Sequence, residues 1–291
     1  RWALPPEARF YEGDIADPAL HEKVFAENRV DAIIHFAGSI IVPESVADPL
    51  AYYENNTVKS RALIAAAVKY KVPHFVFSST AAVYGTPESA EPVTEGARLN
   101  PESPYGSSKL MTEIMLRDTA LAHDFTYTAL RYFNVAGADP KGRTGQSTVG
   151  ATHLIKVAGE AALGKRDHID VFGTDYPTPD GTCVRDYIHV SDLANAHLKA
   201  LERMRAGGGS LVANCGYGTG FSVLEVLETV KKVHGRPFDV RHTGRRAGDA
   251  VMIVANPALA KQELGWQPKF DDLEFIVRTA LDWEAHLSRR H

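Results

Sequence analysis

The chain has 291 residues, of which 44% are hydrophobic and 23% charged, a composition typical of an ordinary globular protein and not of a disordered one. A net charge of -4 argues against the broad basic surface that nucleic-acid binding needs, and no apolar run reaches the roughly 20 residues of a membrane span. Two cysteines, Cys183 and Cys215, are too few for a disulfide framework and lack metal-ligand spacing, so we expect a cytoplasmic protein without a metal site. From the charge and the apolar runs, we expect neither nucleic acid nor a membrane as a partner.

Apolar runs of strand length alternate with longer helical patterns in the first half of the chain. Strands are predicted at residues 10–11, 31–36, 74–79 and 127–132, and helices near 49–70 and 104–122. This alternation predicts an α/β fold with a doubly wound, mainly parallel, Rossmann-like sheet. Ligands of such sheets collect beyond the carboxyl ends of the strands, so the residues that follow each strand are the first candidates for a site.

The pattern changes after residue 135, where Gly/Pro/Asp-rich passages at 136–150 and 173–181 indicate a second, smaller α/β lobe. We therefore divide the chain into a first domain at 1–135 and a second at 136–291, with some segments of the second returning to the first. Ser222 and Glu225 have the spacing of a capping box. Asn256 and Pro257 predict the start of a short helix that Gly265 ends.

Tyr105 and Lys109 lie four residues apart and therefore on one face of the predicted helix 104–122. A free tyrosine has a pKa of about 10, so a phenol that acts as a base near neutral pH needs a nearby cation, which Lys109 supplies. Ser103 and Pro104 have the pattern of an N-cap and a first-turn proline, which places Tyr105 near the positive end of the helix dipole. The same spacing also occurs among solvated side chains of surface helices, so the context must decide.

That context is a predicted strand that ends in three hydroxyls, with Ser-Ser-Thr-Ala-Ala-Val-Tyr-Gly at residues 78–85. Together with Ser-Pro-Tyr-Gly-Ser-Ser-Lys at 103–109, it resembles the UDP-galactose 4-epimerases of the extended short-chain dehydrogenase/reductase superfamily. The resemblance implies an NAD-dependent isomerase that interconverts UDP-glucose and UDP-galactose through a transient 4-keto sugar. It implies that Thr80 hydrogen-bonds the reacting sugar oxygen, that Tyr105 is the acid and base, and that Lys109 also holds the nicotinamide ribose.

The resemblance covers nearly the whole chain and implies a site for NAD. Gly-Asp-Ile at 13–15 is similar to the segment that holds adenine, with Asp14 as the acceptor for its amino group. His-Phe-Ala-Gly at 35–38 is similar to a loop whose small residues let the backbone approach the cofactor. The implied cofactor-binding residues are Asp14, Ile15, Phe36, Ala37, Gly38, Asn55, Ser78, Tyr105, Lys109 and Phe133.

The resemblance also implies a UDP-sugar site, which is carried by motifs at residues 131–137, 180–190 and 245–249. In these motifs Arg185 and Arg246 bind phosphate oxygens through charge-assisted bonds, and Asn134 touches the diphosphate or the sugar. Asp249 accepts from the uridine ribose, and Phe172 packs on uracil. The implied substrate-binding residues are Thr80, Asn134, His153, Leu154, Phe172, Arg185, Arg246, Asp249 and Ile253.

The sequence departs from the family at its start, because the family carries a Gly-rich phosphate loop ahead of the adenine segment. The sequence begins with Arg1 and not with Met, so we expect the first strand and helix to lie upstream of it. The run Gly216 to Gly220 belongs to the second lobe, and we reject it as that loop. Ile40 stands where the family often has a lysine. A truncated, non-catalytic nucleotide-sugar-binding protein is the alternative.

The substrate and the assembly each allow more than one interpretation of the sequence. Ile253 matches a position near the hexose that is a bulkier tyrosine in some members, so a UDP-N-acetylhexosamine or another UDP-sugar is an alternative substrate. Ala81 and Ala82 stand where a dehydratase has an acid and a base, which disfavours dehydration, while a reductase that takes its cofactor from solution stays open. The resemblance also implies a homodimer built from the helical patterns near 49–70 and 111–122, while packing within one sheet layer explains the same apolar faces equally well.

Overall fold

The structure is a computed structural model that describes residues 3–148, 150–246 and 249–289. Strands β1 to β10 are, in chain order, Ala32–His35, His74–Thr80, Thr126–Tyr132, Asn134–Ala136, His168–Phe172, Val184–His189, Leu211–Cys215, Gly220–Ser222, Asp239–Thr243 and Met252–Ile253. Helices α1 to α10 are Pro18–Glu27, Val42–Ala47, Pro49–Tyr52, Lys59–Lys69, Pro104–Ala122, Leu154–Ala162, Val190–Arg205, Val223–His234, Ala258–Leu264 and Leu273–Ser288. A π-helical segment, Tyr53–Val58, joins α3 to α4, and a 3-10 turn, Ala81–Val83, follows β2.

These elements divide into two units, each built from several separate stretches of sequence. Unit 1 comprises the described residues of 3–85, 98–131 and 197–213, and unit 2 comprises those of 86–97, 132–196 and 214–289. Helix α7 starts in unit 2, and its residues from His197 onward belong to unit 1. No helix among the residues described above combines the length and the apolar character that a membrane crossing needs.

Unit 1 is built on a four-stranded sheet in the order β1-β2-β3-β7. Strands β1 and β2 are parallel, with His35 opposite Phe77, and parallel strands need a crossover connection, here a helical one. Strand β2 is buried along almost its whole length, and the core around Phe75, Phe77 and Leu116 joins the sheet to α4 and α5. The predicted α/β fold with a parallel sheet is confirmed.

The predicted strands at 31–36, 74–79 and 127–132 correspond to β1, β2 and β3, and the helix predicted at 104–122 is α5. Its start is fixed locally, because the Ser103 hydroxyl accepts from the Gly106 amide at 3.2 Å and Pro104 occupies the first turn. The helix predicted at 49–70 is present as α3, the π-helical segment and α4. The π-helical segment is a local feature that the apolar pattern does not predict.

The strand predicted at residues 10–11 is wrong. A strand needs a neighbour that takes up its backbone hydrogen bonds, and no sheet formed by the described residues includes Phe10 or Tyr11. Tyr11 lies in irregular chain, where its hydroxyl donates to Glu27 at 2.7 Å and accepts from Asn28 at 2.9 Å. Tyr11 therefore contacts the end of α1 and does not lie in a sheet.

Unit 2 holds a sheet in the order β10-β6-β4, to which β8 adds antiparallel to β6, and a separate parallel pair, β5 and β9. Helices α6, α8 and α10 pack against one another. The predicted capping box of Ser222 and Glu225 starts α8, and Gly265 ends α9 in the left-handed conformation with φ 61°. Helix α9 begins at Ala258, one residue later than predicted, and the Asn256 side chain still accepts from the Ala258 amide at 3.0 Å, as a capping side chain does.

Candidate active site

The carboxyl end of β2 brings Thr80 to the first turn of α5. The Thr80 hydroxyl accepts from the Ala82 amide at 3.1 Å, which starts the 3-10 turn, and it is hydrogen-bonded to the Tyr105 phenol. Tyr105 is the second residue of α5, directly after the capped start at Ser103 and Pro104. The predicted pair of a strand-end hydroxyl and a helical phenol is therefore assembled within unit 1.

Lys109 lies one turn after Tyr105 on α5 and is 3% exposed. Its ammonium donates to the Ser78 carbonyl at 3.1 Å and lies 5.1 Å from the centroid of the Phe77 ring. Burial lowers the pKa of Lys109 from 10.5 to about 8, because the charged ammonium has lost most of its hydration. The Lys109 ammonium is therefore still charged at pH 7 but has a pKa only slightly above that pH.

The charge state of Tyr105 differs from the expectation drawn from its spacing to Lys109. Burial raises the pKa of Tyr105 above its ordinary value, and the hydrogen bond with Thr80 opposes that rise only in part. The neighbouring Tyr52 raises the pKa further. Burial therefore decides the charge state of Tyr105 in the chain without ligands, and the phenol keeps its proton.

The loop after β1 comes close to Lys109 at a glycine. A Cβ atom on Gly38 would lie 3.1 Å from the Asn56 side-chain oxygen and 3.4 Å from the Lys109 ammonium, so a larger residue would crowd both. Two consecutive asparagines of the π-helical segment bind Ser39, the residue after Gly38. Asn55 donates to the Ser39 hydroxyl at 2.9 Å, and Asn56 accepts from the Ser39 amide at 2.7 Å. The implied cofactor residues Gly38 and Asn55 are thus joined in one loop contact.

The other implied cofactor residues of unit 1, which include Asp14, Ile15 and Phe36, make contacts outside this loop and α5. Asp14 accepts from the Lys59 ammonium at 2.6 Å and from the Ala16 amide at 2.9 Å, and these bonds hold its pKa below the usual range. The Ile15 carbonyl contacts a His21 ring nitrogen at 2.6 Å. Phe36 is 57% exposed, although its ring approaches the buried His197 ring to 4.7 Å between centroids, and Ala37 follows it in the same exposed stretch.

Two arginines of unit 2 converge on one carboxylate. Arg246 donates to both oxygens of Asp249, at 3.1 and 2.8 Å, and the Arg185 guanidinium lies 3.8 Å from the same group. Arg246 also stacks over Phe172, 5.2 Å from its ring centroid, and Ile253 pairs with Arg185 across β10 and β6. Five of the implied substrate residues are therefore brought together, and the two residues between Arg246 and Asp249 lie outside the described residues.

Three other implied substrate residues line one cavity of unit 2, namely Asn134, His153 and Leu154. Gln146 lies 3.0 Å from the His153 ring, side-chain nitrogen to Nδ1, and also lines this cavity. Burial lowers the pKa of His153, so the imidazole is neutral near pH 7. Phe133, an implied cofactor residue, is buried in unit 2, where its amide donates to the Cys215 carbonyl at 3.1 Å.

Several residues that contact the site were not singled out from the sequence. Asn56 is 2% exposed and also donates to the Ser108 hydroxyl at 3.0 Å, which attaches the loop after β1 to α5. Glu113 and Arg131 form a buried ion pair, with a nitrogen-to-oxygen distance of 2.6 Å. The only local signal for Glu113 is its spacing of four residues from Lys109, and nothing near Arg131 in the sequence points to its partner.

Comparison with known proteins identifies the family. A model of the NAD dependent epimerase/dehydratase family matches residues 1–216 of the chain. The chain belongs to this family. Within it, the UDP-glucose 4-epimerase of Azospirillum brasilense is 55% identical over 289 residues, which make up 99% of this chain and 83% of that relative.

Solved structures of the epimerase/dehydratase family have the same fold as this chain. The UDP-glucose 4-epimerase of Bifidobacterium longum, solved with NAD+ and UDP, is 40% identical with a TM-score of 0.91, over 97% of this chain and 84% of that one. The UDP-Glc/GlcNAc 4-epimerase of Campylobacter jejuni is 48% identical with a TM-score of 0.83, over 96% of this chain and 84% of that one. The predicted Rossmann-like fold is confirmed.

The side chains of unit 1 fit the dinucleotide cofactor of the family. A Cβ on Gly38 would press on the Asn56 side-chain oxygen at 3.1 Å and touch the Lys109 ammonium at 3.4 Å, so glycine keeps the backbone of this loop accessible beside Lys109. An ammonium, an amide and a carboxylate, from Lys109, Asn55 and Asp14, suit ribose hydroxyls and an adenine amino group. Among the described residues, no group of three His, Cys, Asp or Glu side chains is placed to hold a metal ion.

Proposed function

We propose that the chain is an NAD-dependent 4-epimerase that interconverts UDP-glucose and UDP-galactose. The observation that carries the proposal is the contact between Thr80 and Tyr105, with Lys109 one turn further along α5, in a chain that is 55% identical to a UDP-glucose 4-epimerase. A phenol and a hydroxyl that share a hydrogen bond can pass a proton to and from one sugar oxygen. Ala81 and Ala82, which follow Thr80, have no group that could serve an elimination.

The reactive groups have separate roles in this proposal. Tyr105 removes the proton of the sugar 4-hydroxyl and returns it to the same oxygen, while Thr80 hydrogen-bonds that oxygen. Lys109 stabilises the phenolate by its charge. NAD, when bound, would supply reversible hydride transfer at carbon 4, and inversion would require the transient 4-keto sugar to turn so that the hydride returns to its opposite face. The residues that would hold NAD are Asp14, Ile15, Phe36, Ala37, Gly38, Asn55, Ser78, Tyr105, Lys109 and Phe133.

The proposal assigns the UDP-sugar to residues that lie mainly in 136–291, and the cofactor mainly to 1–135. Arg185 and Arg246 would bind the diphosphate in place of their present carboxylate partner, Asp249, whose oxygens would then accept from the uridine ribose. Phe172 would pack on uracil. Asn134, His153, Leu154 and Ile253 would contact the diphosphate and the hexose.

The test is incubation of the purified chain with UDP-galactose and measurement of the UDP-glucose that forms. We expect turnover in the unaltered chain and a loss of about a hundredfold to ten-thousandfold in Tyr105→Phe, which removes only the acid and base. Tyr70→Phe is the matched control, because Tyr70 stacks on Phe25 at the end of α4, away from Thr80 and Lys109, and should leave turnover unchanged. Equal turnover in Tyr105→Phe and the unaltered chain would refute the role of Tyr105.

UDP-N-acetylhexosamines are the second candidate substrates. Ile253 is shorter than the tyrosine found at this position in some family members, and the Campylobacter jejuni relative is described as a UDP-Glc/GlcNAc 4-epimerase. We expect turnover of UDP-N-acetylgalactosamine that Ile253→Tyr abolishes while UDP-galactose turnover persists. Absence of turnover of the acetylated sugar by the unaltered chain would leave UDP-glucose and UDP-galactose as the substrates.

We further propose that the chain forms a homodimer in the cytoplasm. Apolar side chains stand out from α2, α3 and α5, with Val46 63%, Leu50 77% and Leu121 83% exposed. Helices α2, α3 and α5 pack against one another, and exposed apolar side chains on packed helices suit an interface between copies. Cys183 and Cys215 are buried free thiols, as a reducing compartment maintains them.

Light scattering on a sizing column tests the dimer. We expect twice the chain mass for the unaltered protein and a single chain mass for Leu121→Glu, which places a charge on the proposed interface. Leu198→Glu is the control, since Leu198 is 55% exposed on α7 and should leave the dimer intact. An unaltered chain that runs as a monomer would refute the dimer.

A further inference from the structure

A buried network links four elements behind the Thr80 and Tyr105 pair. The Arg131 guanidinium at the end of β3 donates to both carboxylate oxygens of Glu113 on α5, with its shortest bond at 2.6 Å. Arg131 also donates to the Tyr84 hydroxyl at 3.0 Å, and the Ser79 hydroxyl donates to Glu113. All four side chains are at most 5% exposed and have lost their hydrogen bonds to water. The bonds within the network take the place of those lost bonds.

The network holds in place the carboxylate of Glu113, which lies one turn after Lys109 on α5. Glu113 follows Lys109 by four residues, the spacing at which a lysine and a glutamate on a helix form an ion pair. In this structure the Glu113 carboxylate pairs with Arg131, while the Lys109 ammonium donates to the Ser78 carbonyl at 3.1 Å. Arg131 therefore competes with Lys109 for Glu113, and its planar, bidentate guanidinium is the stronger partner.

We propose that Arg131 is a positioning residue that holds the Glu113 carboxylate away from Lys109, so that the ammonium keeps its full effect on Tyr105. The inference rests on the proposed function, since it assigns Arg131 a task in the acid and base chemistry of Tyr105. If Arg131 were lost, Glu113 would turn to the buried ammonium four residues earlier on its own helix. Its negative charge would then cancel the charge that stabilises the phenolate.

Other titratable groups of the described residues also face this network and Lys109. Tyr127 of β3 is influenced by Glu113, Arg131, Arg117 and Asp118, but the last two lie on the exposed side of α5. Lys109 faces His35 of β1, whose pKa falls to about 4 through burial and the neighbouring ammonium, so His35 is neutral near pH 7. Tyr105 faces Tyr52 of α3, which is neutral as well. Glu113 is thus the carboxylate whose release would alter Lys109.

The first test reads Lys109 directly and needs no turnover. In a chain with carbon-labelled lysines, NMR titration should find that Lys109 titrates near pH 8, with Lys109→Met identifying its signal. Arg131→Met should move that titration upward by about one pH unit or more, because a new carboxylate neighbour favours the ammonium. The double variant Arg131→Met with Glu113→Gln should restore it, and it also removes both partners of a buried pair, which folds more readily than either half alone.

The second test is the pH dependence of kcat/KM for UDP-galactose. Arg131→Met should shift the limb that reports the base upward by about one pH unit, and the double variant should return it to the original position. Arg131→Lys keeps a cation beside Glu113 and should leave the limb in place, which provides a folded comparison if Arg131→Met is unstable. A merely structural role would lower kcat in each variant and leave the limb unmoved.

The outcomes separate the two proposals. A Lys109 titration that is the same with and without Arg131 would overturn the role of Arg131, even if the chain is an active epimerase. A chain that turns over no UDP-sugar, yet shows the shift and its reversal in the Lys109 titration, would overturn the proposed function and leave the link between Arg131 and Lys109 standing.

Discussion

Replacing Lys109 with methionine should stabilise the ligand-free fold while it removes activity. Lys109 is 3% exposed, and burial lowers its pKa from 10.5 to about 8. That difference corresponds to about 3 kcal/mol by which the fold disfavours the ammonium at neutral pH. Methionine has a similar length and no charge, so it removes this penalty, and its thioether can keep a contact with the Phe77 ring. It loses the bond to the Ser78 carbonyl, worth about 1 kcal/mol. The net expectation is a gain of about 2 kcal/mol.

The gain should depend on pH in a defined direction. The folded chain releases the Lys109 proton at about pH 8 and the unfolded chain near 10.5, so the penalty is complete below pH 8 and fades as the pH rises toward 10.5. The melting temperature of ligand-free Lys109→Met should therefore exceed that of the unaltered chain by about 5 °C at pH 7 and by clearly less at pH 9.5. Lys59→Met is the control, since the Lys59 side chain is 27% exposed and bonded to Asp14 and should give no such gain. A Lys109→Met chain that is less stable at both pH values would refute the reasoning.

Two predictions concern the elements that position the site. Ser103→Ala removes the cap that the hydroxyl gives the Gly106 amide and should cost about 1 kcal/mol of unfolding free energy, seen as a lower melting temperature, while Ser107→Ala on the first turn should change it less. Gly85→Ala places a Cβ 2.1 Å from the Asn100 carbonyl at φ 67° and should leave little folded protein in a solubility assay. Gly142→Ala has the same sign of φ, 66°, with open space around it, and should cost only about 1–2 kcal/mol in thermal unfolding. Equal effects at the two glycines would contradict the steric argument.

The parts of the fold that follow from neighbouring residues could be predicted from the sequence. The bounds of α5 are set by Ser103 and Pro104 at one end, and those of β2 by a continuous apolar run, so both needed only a few adjacent positions. The strand expected at Phe10 failed for the opposite reason, because strand formation depends on a partner that an alternating or aromatic pattern does not supply. The π-helical segment at Tyr53–Val58 likewise comes with long-range contacts, those of Asn55 and Asn56 with Ser39, which the local sequence does not reveal.

The candidate site could likewise be predicted only where neighbouring residues decide it. Tyr105 and Lys109 could be chosen because four residues on a helix fix their common face, but the charge each carries is set by burial, which raises one pKa and lowers the other. Spacing predicts which groups meet and cannot predict how much water they lose on meeting. The pair of Glu113 and Arg131 shows the same limit, since 18 residues and a change from helix to strand separate its members. A carboxylate one turn from a catalytic lysine is, by spacing alone, its natural partner, and only the packing of β3 against α5 gives it to an arginine instead.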